Sequence, residues 1–230
     1  MYKESKIGAS LLMGGSGHRF GDKLPKQFCL LKGKPLYLYA LETLLEMEIF
    51  EEIVIVCHPD WMAKLDLKNF PPIVQTVPGG STRQESSFLG LCAFRKMPEW
   101  VVIHDAARPF VTKAIVLANL EAAMTCGSAD TCVPSTDTLV FAPDGHQIVS
   151  IPKRHEFFRG QTPQTFRYSL IAEAHARARQ KGIDNASDDC QLIADLNSPI
   201  AISKGHEENM KITSSLDLKI AEIILEKRRT

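Results

Sequence analysis

Runs of apolar residues recur along the chain and predict the strands of a sheet. The mostly apolar segment KIGASLLM (6–13) predicts a first buried strand, which ends in a glycine-rich turn. β-Branched or apolar runs predict further strands at 51–58, 71–77 and 99–105. Such continuous apolar strands are typical of a parallel sheet that is covered on both faces.

Helical periodicity fills the intervals between these strands. Segment 36–47 places Tyr37, Leu41, Leu44 and Leu45 on one side of a predicted helix. Further helices are predicted at 83–96, 113–127, 167–182, 187–196 and 214–227. Strands that alternate with helices predict an α/β fold, Rossmann-like, with a mostly parallel sheet and helices on both faces.

Three of these helices carry more specific predictions. In helix 83–96 we expect Phe88 or Leu89 to face inward together with Cys92 and Ala93. Ser187 is a candidate N-cap of the short helix at 187–196. The last helix has an apolar face formed by four residues, Leu216, Ile220, Ile223 and Ile224.

One segment, at about 135–158, departs from the alternating pattern. It contains short β-rich pieces on either side of Pro143-Asp144-Gly145, which is a turn signal. We therefore predict a protruding β-arm here. Because the sequence shows no linker and no internal repeat, residues 1–230 are predicted to form a single domain that carries this arm.

Charge and composition restrict the classes of partner. The chain has 27 Lys plus Arg and 27 Asp plus Glu, so its formal net charge is zero. Nucleic-acid-binding proteins usually carry a basic excess, so we expect no nucleic-acid partner. No stretch approaches the roughly 18 apolar residues of a membrane helix, so we expect no membrane association.

The six cysteines are scattered, and no two of them form a C-x-x-C pair. We expect them to be reduced, with Cys29, Cys57 and Cys92 in the core, in a cytoplasmic protein. The sequence has no His/Cys cluster with zinc spacing, so a zinc site is not expected.

The glycine turn after the first strand is a candidate phosphate-binding loop. A dinucleotide fingerprint needs a third glycine where Phe20 stands, and a nucleophile elbow needs glycine where His18 stands. What remains is a glycine turn followed by Arg19 and Lys26. Two cations near one polyphosphate suit phosphoryl or nucleotidyl transfer, although an isolated stretch of this kind is also typical of a solvated loop.

The order of four motifs makes the assignment more specific. They are GGSGHRF…LPKQF…GKPL from Gly14, HDAARPF at 104–110, GQTPQTF at 160–166 and NMKIT at 209–213. This ordered set resembles the sugar-phosphate nucleotidyltransferases and, among them, the 2-C-methyl-D-erythritol 4-phosphate cytidylyltransferase family. The resemblance extends over essentially the whole chain. It implies that CTP and a polyol phosphate react with release of pyrophosphate, with Mg²⁺ held mainly by the triphosphate and no protein ligand assigned to the metal.

The resemblance also implies roles for individual residues. The catalytic pair at the α-phosphate would be Arg19 and Lys26. The nucleotide-binding residues would be Met13, Gly14, Gly15, Gly80, Ser81, Ser86, Ala106 and Lys211. The polyol-side residues would be Asp105, Arg108, Thr138, Arg154, Ser187 and again Lys211, which would bridge the phosphates of the two substrates.

In the family the arm reaches into a neighbouring subunit, so the resemblance implies a homodimer in which Thr138 and Arg154 contact the partner's substrate. Two departures concern the nucleotide side. Met13 and Gly14 stand where most relatives have small alanines, and Ser81 stands where an acidic residue is often expected.

Other functions remain open at the level of sequence. A ribitol 5-phosphate cytidylyltransferase would share the glycine turn and the PKQ motif. A non-catalytic nucleotide-binding protein on the same fold would be expected to lack Arg19, Lys26 or Lys211, and all three are present. A dehydrogenase is disfavoured by the absence of the third glycine.

Overall fold

The centre of the computed structural model, which describes residues 2, 4–14, 25–65 and 70–229, is a seven-stranded sheet. The strands of this sheet are β1 (Ile7–Met13), β4 (Phe50–Cys57), β5 (Val74–Pro78), β6 (Trp100–Asp105), β7 (Ser128–Pro134), β8 (Phe158–Arg167) and β9 (Ala201–Lys204). Strands β2 (Leu30–Leu31) and β3 (Lys34–Pro35) form a separate two-stranded antiparallel sheet. The helices are α1 (Leu36–Leu45), α2 (Arg83–Cys92), α3 (Lys113–Cys126), α4 (Tyr168–Gln180), α5 (Asp189–Ala194) and α6 (Ser215–Arg229). Short 3-10 helices occupy Lys26–Phe28, Pro59–Lys64 and Arg154–Glu156.

The strand order in the main sheet is β5-β4-β1-β6-β8-β7-β9. The first four strands are parallel, and β8 runs antiparallel to both of its neighbours. The edge strand β9 is parallel to β7. The predicted mostly parallel sheet is therefore confirmed, while β7, β8 and β9 were not among the predicted strands.

Helices cover both faces of the sheet, as predicted. On one face, α1 and α3 contribute to a core that includes the alternate β1 residues Ile7, Ala9 and Leu11. Helix α1 lies against β1, and α3 lies against β7, β8 and β9. On the other face, α2, α4 and α5 pack on Leu12, Val54 and neighbouring strand residues. Within the described part of the chain, no helix combines the length and apolar character needed to cross a membrane.

The inward face of α2 differs from the prediction. Its buried residues are Gln84, Ser86, Ser87, Gly90 and Leu91, whereas Cys92 is exposed. The prediction was wrong for Cys92, because it assumed a wholly apolar inward face, whereas Ala93 packs against the core and Phe88 contacts the buried ring of His175 as expected. The buried hydroxyls and amide of α2 instead make hydrogen bonds, for example from Ser87 Oγ to Asp189 Oδ1 at 2.6 Å.

Of the four residues predicted for the apolar face of α6, Ile224 packs against the core, whereas the other three are exposed. Leu216 and Ile223 are 64% and 66% exposed. The helix packs through Leu218, Ala221 and Leu225 against a small core that includes β2 and Phe110.

The N-cap of α5 is Asp188 rather than Ser187. The Asp188 carboxylate accepts a hydrogen bond from the Gln191 amide at 2.9 Å. A carboxylate at this position satisfies a free amide and complements the helix dipole. Ser187 lies one residue earlier, and its hydroxyl donates to Gln191 Oε1 at 3.2 Å.

The predicted arm corresponds to the segment that connects β7 to β8. It contains one antiparallel bridge, between Phe141 and Ser150, and a turn at Asp144 whose carboxylate accepts two backbone hydrogen bonds. Gly145 in this turn has φ 72°, a conformation that favours glycine. The segment exposes five large apolar side chains by more than half: Val140, Phe141, Ile148, Val149 and Ile151.

Candidate active site

A cleft of about 290 Å³ lies at the carboxyl ends of the parallel strands β1, β4 and β6. In open α/β sheets this edge is where ligands bind. The described residues that line the cleft are Leu12, Met13, Gly14, Gln27, His58, Gly80, Ser81, Thr82, Arg83, Ser86, Asp105, Ala107 and Lys211.

Seven residues predicted for the site lie together in this lining: Met13, Gly14, Gly80, Ser81, Ser86, Asp105 and Lys211. Ala106 lies between two lining residues, and its backbone N–H donates to the carbonyl of Leu12 at 2.9 Å. Gly15 and Arg19 lie outside the described residues, and only the backbone of Lys26 is described.

Two of the lining glycines lie very close to side chains of α2. A Cβ atom at Gly14 would lie 2.7 Å from Ser86 Oγ, and one at Gly80 would collide with the side chain of Glu85. Glycine therefore lets the end of β1 approach the start of α2. This approach forms the wall of the cleft on the predicted nucleotide side.

Hydrogen bonds at the start of α2 fix the shape of this wall. The Thr82 hydroxyl caps the helix by accepting from the Glu85 amide at 3.0 Å. Ser86 Oγ accepts from the Gly80 amide at 3.1 Å and donates to the Thr82 carbonyl at 2.9 Å. Glu85 Oε2 accepts from both the amide and the hydroxyl of Ser81, at 2.7 and 2.8 Å. Glu85 thus holds Ser81, the residue that stands where an acidic side chain was expected, but Glu85 does not itself line the cleft.

The PKQ segment is tied to the first strand by Gln27. The Gln27 side chain is buried, and its Nε2 donates to the carbonyl of Met13 at 2.6 Å. This contact fixes the backbone of Lys26, one residue away, beside the end of β1. The PKQ motif therefore contains a residue that fixes the backbone, Gln27, next to its charged residue, Lys26.

Asp105 lies between two cations at the end of β6. Lys211 Nζ is 2.6 Å from Asp105 Oδ2, and Arg83 Nε is 3.5 Å from Asp105 Oδ1. Burial by itself would raise the pKa of this carboxyl group, but the charges of Arg83 and Lys211 overcome that effect and hold the pKa well below its usual range. Asp105 is therefore an ionised hydrogen-bond acceptor in the cleft.

A hydrogen-bonded histidine orders the backbone at Asp105. His104 Nε2 donates to the Arg108 carbonyl at 3.1 Å, and its Nδ1 accepts from Thr162 Oγ1 at 2.9 Å. Thr162 Oγ1 in turn accepts from the Asp105 amide at 3.0 Å. This pattern requires the neutral ring, and burial lowers the pKa of His104 to about 4. The HDAAR and GQTPQ motifs are thus in contact.

Arg83 belongs to the site but was not predicted. It lines the cleft at the first position of α2, and its Nη1 lies 2.7 Å from Asp189 Oδ2. One usable signal is present in the sequence, an arginine that closely follows the segment Pro78-Gly79-Gly80, with a pair of acids much later at 188–189. Its partner is 106 positions away, so the pair is visible only in the fold.

Besides Ala106, four described residues that were predicted for the site do not line the cleft. Arg108 is buried and donates to the carbonyls of Asn209 at 2.8 Å and Gly160 at 3.4 Å. Thr138, Arg154 and Ser187 are exposed, and Arg154 Nη1 donates to the Thr136 carbonyl at 3.0 Å. Their roles toward the polyol phosphate stay predictions.

Comparison with known proteins gives a family model that matches residues 9–227, the IspD model described as 2-C-methyl-D-erythritol 4-phosphate cytidylyltransferase. The chain is also 36% identical over 227 residues to the 2-C-methyl-D-erythritol 4-phosphate cytidylyltransferase of Desulforamulus reducens, covering 96% of this chain and 97% of the relative.

Solved structures agree with this result. The 4-diphosphocytidyl-2C-methyl-D-erythritol synthase of Anaerococcus prevotii superimposes with a TM-score of 0.86 at 26% identity, covering 96% of this chain and 99% of the other. The 2-C-methyl-D-erythritol 4-phosphate cytidylyltransferase of Thermus thermophilus superimposes with a TM-score of 0.75 at 34% identity, covering 94% and 98%.

Proposed function

Because the chain belongs to the IspD family of 2-C-methyl-D-erythritol 4-phosphate cytidylyltransferases, we infer that it joins CTP to this polyol phosphate. The products are 4-diphosphocytidyl-2-C-methyl-D-erythritol and pyrophosphate, in the non-mevalonate route to isoprenoids. The observation that carries this function is the family match over residues 9–227. The comparisons give no support to the ribitol 5-phosphate alternative.

In the proposed reaction a phosphate oxygen of the polyol phosphate attacks the α-phosphorus of CTP. A new P–O bond forms, and the bond to the departing pyrophosphate breaks. The second pKa of a phosphate monoester is about 6, so the nucleophile is already largely dianionic at neutral pH. The main obstacle is repulsion between two anionic substrates, and the reaction therefore needs cations in fixed positions more than it needs a general base.

We propose that Arg19 and Lys26 stabilise the charge that develops at the α-phosphate, and that Lys211 bridges the phosphates of the two substrates. The Gln27–Met13 contact supports the placement of Lys26, because it holds the adjacent backbone beside the glycine turn. We further propose that Gly14, Gly15 and Gly80 let the backbone approach the nucleotide, and that the ionised Asp105 accepts hydrogen bonds from polyol hydroxyls.

The family generally uses a divalent cation, and we propose that Mg²⁺ enters with CTP as part of the substrate complex. Asp105 is the one carboxylate in the described lining of the cleft, and it already pairs with Lys211 at 2.6 Å. Mg²⁺ commonly binds through substrate phosphates with few protein ligands. A cleft lining with one carboxylate among its described residues is consistent with this mode of binding. When bound, the ion would neutralise charge on the triphosphate and on the leaving pyrophosphate.

We propose that the chain works as one nucleotidyltransferase domain and forms a homodimer through its arm. The five exposed apolar side chains of the arm support this, because such patches mark protein–protein contacts. Thr138 and Arg154 are absent from the described lining of their own cleft, as expected if they serve the partner's site. A cytoplasmic location also stays a prediction.

The activity is tested by pyrophosphate release from CTP and Mg²⁺ with either of two polyol phosphates. We expect kcat/KM for 2-C-methyl-D-erythritol 4-phosphate to exceed that for ribitol 5-phosphate by at least about 100-fold, since several hydroxyl contacts would be lost or misplaced. Equal or faster use of ribitol 5-phosphate would contradict the assignment. Release with neither compound would favour a non-catalytic nucleotide-binding protein.

The dimer proposal predicts complementation between two inactive variants. We expect Lys26→Ala and Arg154→Ala each to be severely impaired alone. If Arg154 acts in the partner's site, each mixed dimer holds one intact site and one doubly defective site. An equal mixture, refolded or co-expressed, then recovers up to about a quarter of wild-type activity.

Two observations decide the outcome of this mixing experiment. Mixed dimers are verified by sequential purification through two different affinity tags. Verified mixed dimers with no activity above that of the separate variants would show that Arg154 does not act across the interface. Full activity of Arg154→Ala alone would remove this residue from the site.

A further inference from the structure

A continuous series of charged contacts connects the cleft to the buried side of α2. It starts at Lys211, passes through Asp105 and Arg83, and ends at Asp189. Arg83 is the only one of these four that contacts a carboxylate on both sides. Its Nε faces Asp105 Oδ1 at 3.5 Å, and its Nη1 faces Asp189 Oδ2 at 2.7 Å.

Asp189 is buried and hydrogen-bonded, so its side chain is more fixed than that of a carboxylate on the protein surface. Its side chain is 1% exposed, and Oδ1 accepts from Ser87 Oγ at 2.6 Å. His175 Nε2, on α4 and equally buried, lies 3.1 Å from the same oxygen. Burial would raise the pKa of Asp189, but Arg83 and these hydrogen bonds lower it to about 2. Asp189 is thus a fixed negative charge that sets the direction of the Arg83 side chain.

In the proposed reaction Lys211 has two binding partners, and its ammonium group cannot contact both of them equally well. In the structure its ammonium group contacts Asp105, but in the reaction it would bridge the phosphates of the substrates. When Lys211 turns to the phosphates, Asp105 loses its closest cation. A buried carboxylate without a cation is costly and would shift toward its protonated form, which accepts fewer hydrogen bonds.

We propose that Arg83, anchored by Asp189, is a positioning residue that keeps Asp105 ionised and oriented while Lys211 transfers to the substrate phosphates. This inference rests on the proposed function and adds to it a residue that the four sequence motifs do not include. Arg83 suits the role because its planar guanidinium can contact both carboxylates at the same time, which the ammonium group of a lysine could do only less rigidly.

The experiment uses steady-state kinetics with CTP and 2-C-methyl-D-erythritol 4-phosphate as the probes. The variants are Arg83→Gln, Arg83→Lys, Asp189→Asn and the double variant Arg83→Gln/Asp189→Asn. Arg177→Gln is the matched control, because Arg177 forms an exposed pair with Glu173 on α4. Thermal unfolding of every variant is measured alongside.

We expect Arg83→Gln to lower kcat/KM for the polyol phosphate by about 10- to 100-fold, the loss typical of a hydrogen bond to a charged group. Its KM for CTP should stay within about threefold of wild type, because Asp105 acts on the other substrate. Arg83→Lys should restore part of the loss, and Arg177→Gln should behave as wild type.

The double variant separates positioning from a general structural effect. If Asp189 acts through Arg83, adding Asp189→Asn to Arg83→Gln should worsen kcat/KM by less than about threefold. Losses that multiply, or that affect both KM values equally and follow the fall in melting temperature, would overturn the inference. So would unchanged kinetics of Arg83→Gln. Failure of the wild-type enzyme to use this substrate pair would instead overturn the proposed function.

Discussion

Replacing Lys26 by alanine is expected to lower kcat by about 100- to 1,000-fold, the loss seen when one preorganised donor to a developing charge is removed. The KM for CTP should change by less than about threefold, because backbone contacts and the remaining cations still hold the ground-state triphosphate. We expect kcat to change more than KM because negative charge at the α-phosphorus and on pyrophosphate grows mainly in the transition state. Initial rates of pyrophosphate release at several CTP concentrations separate the two parameters.

Two comparisons make the Lys26 result interpretable. Lys219→Ala removes an exposed lysine of α6 and should leave both parameters at wild-type values. Lys26→Arg keeps the charge but changes its shape, and should recover only part of the lost kcat. If Lys26→Ala raised KM for CTP and left kcat unchanged, Lys26 would be a binding residue without a specific role in the transition state.

The central strands of the fold could be predicted from the local sequence pattern, because the hydrophobicity of neighbouring residues determines where such strands form. β1, β4 and β6 are mostly apolar, and strands buried on both faces usually have that composition. The α2 prediction was correct only in part, because periodicity indicates only apolar contacts. The inward residues of α2 include Ser86, Ser87 and Gln84, whose burial is compensated by hydrogen bonds, two of them to distant segments. Strand β9 is four residues long and lies at an edge, so its pattern is too short to be distinctive.

The sequence predicted those site residues that belong to short local motifs, and it missed those that depend on contacts between distant segments. Gly14, Gly80 and Asp105 lie at the ends of strands, where turns and motifs are visible, and the structure places them in one cleft. Arg83 was missed because its partner Asp189 is 106 positions away. Helix capping at α5 was assigned one residue too early, because Ser187 and Asp188 are both good caps and only the backbone geometry separates them.

Replacing Lys211 by methionine is the second variant from which we expect a large loss, a fall in kcat/KM for the polyol phosphate of about 100-fold or more. Methionine keeps most of the aliphatic volume, so the change removes mainly the charge. Two effects should combine: the substrate phosphates lose a shared cation, and Asp105 loses the ammonium group at 2.6 Å. Lys211→Arg should retain more activity than Lys211→Met, because a cation remains.

The pair Lys211→Met and Asp105→Asn distinguishes these two effects. If Lys211 served only to hold Asp105, both single variants and the double variant would have the same kcat/KM within about threefold. We expect instead that Lys211→Met is the more severe single variant and also raises KM for CTP, whereas Asp105→Asn affects KM for the polyol phosphate alone. Phosphate bridging predicts this asymmetry, because only Lys211 would contact both substrates. Equal effects of the two variants on both substrates would restrict Lys211 to the support of Asp105.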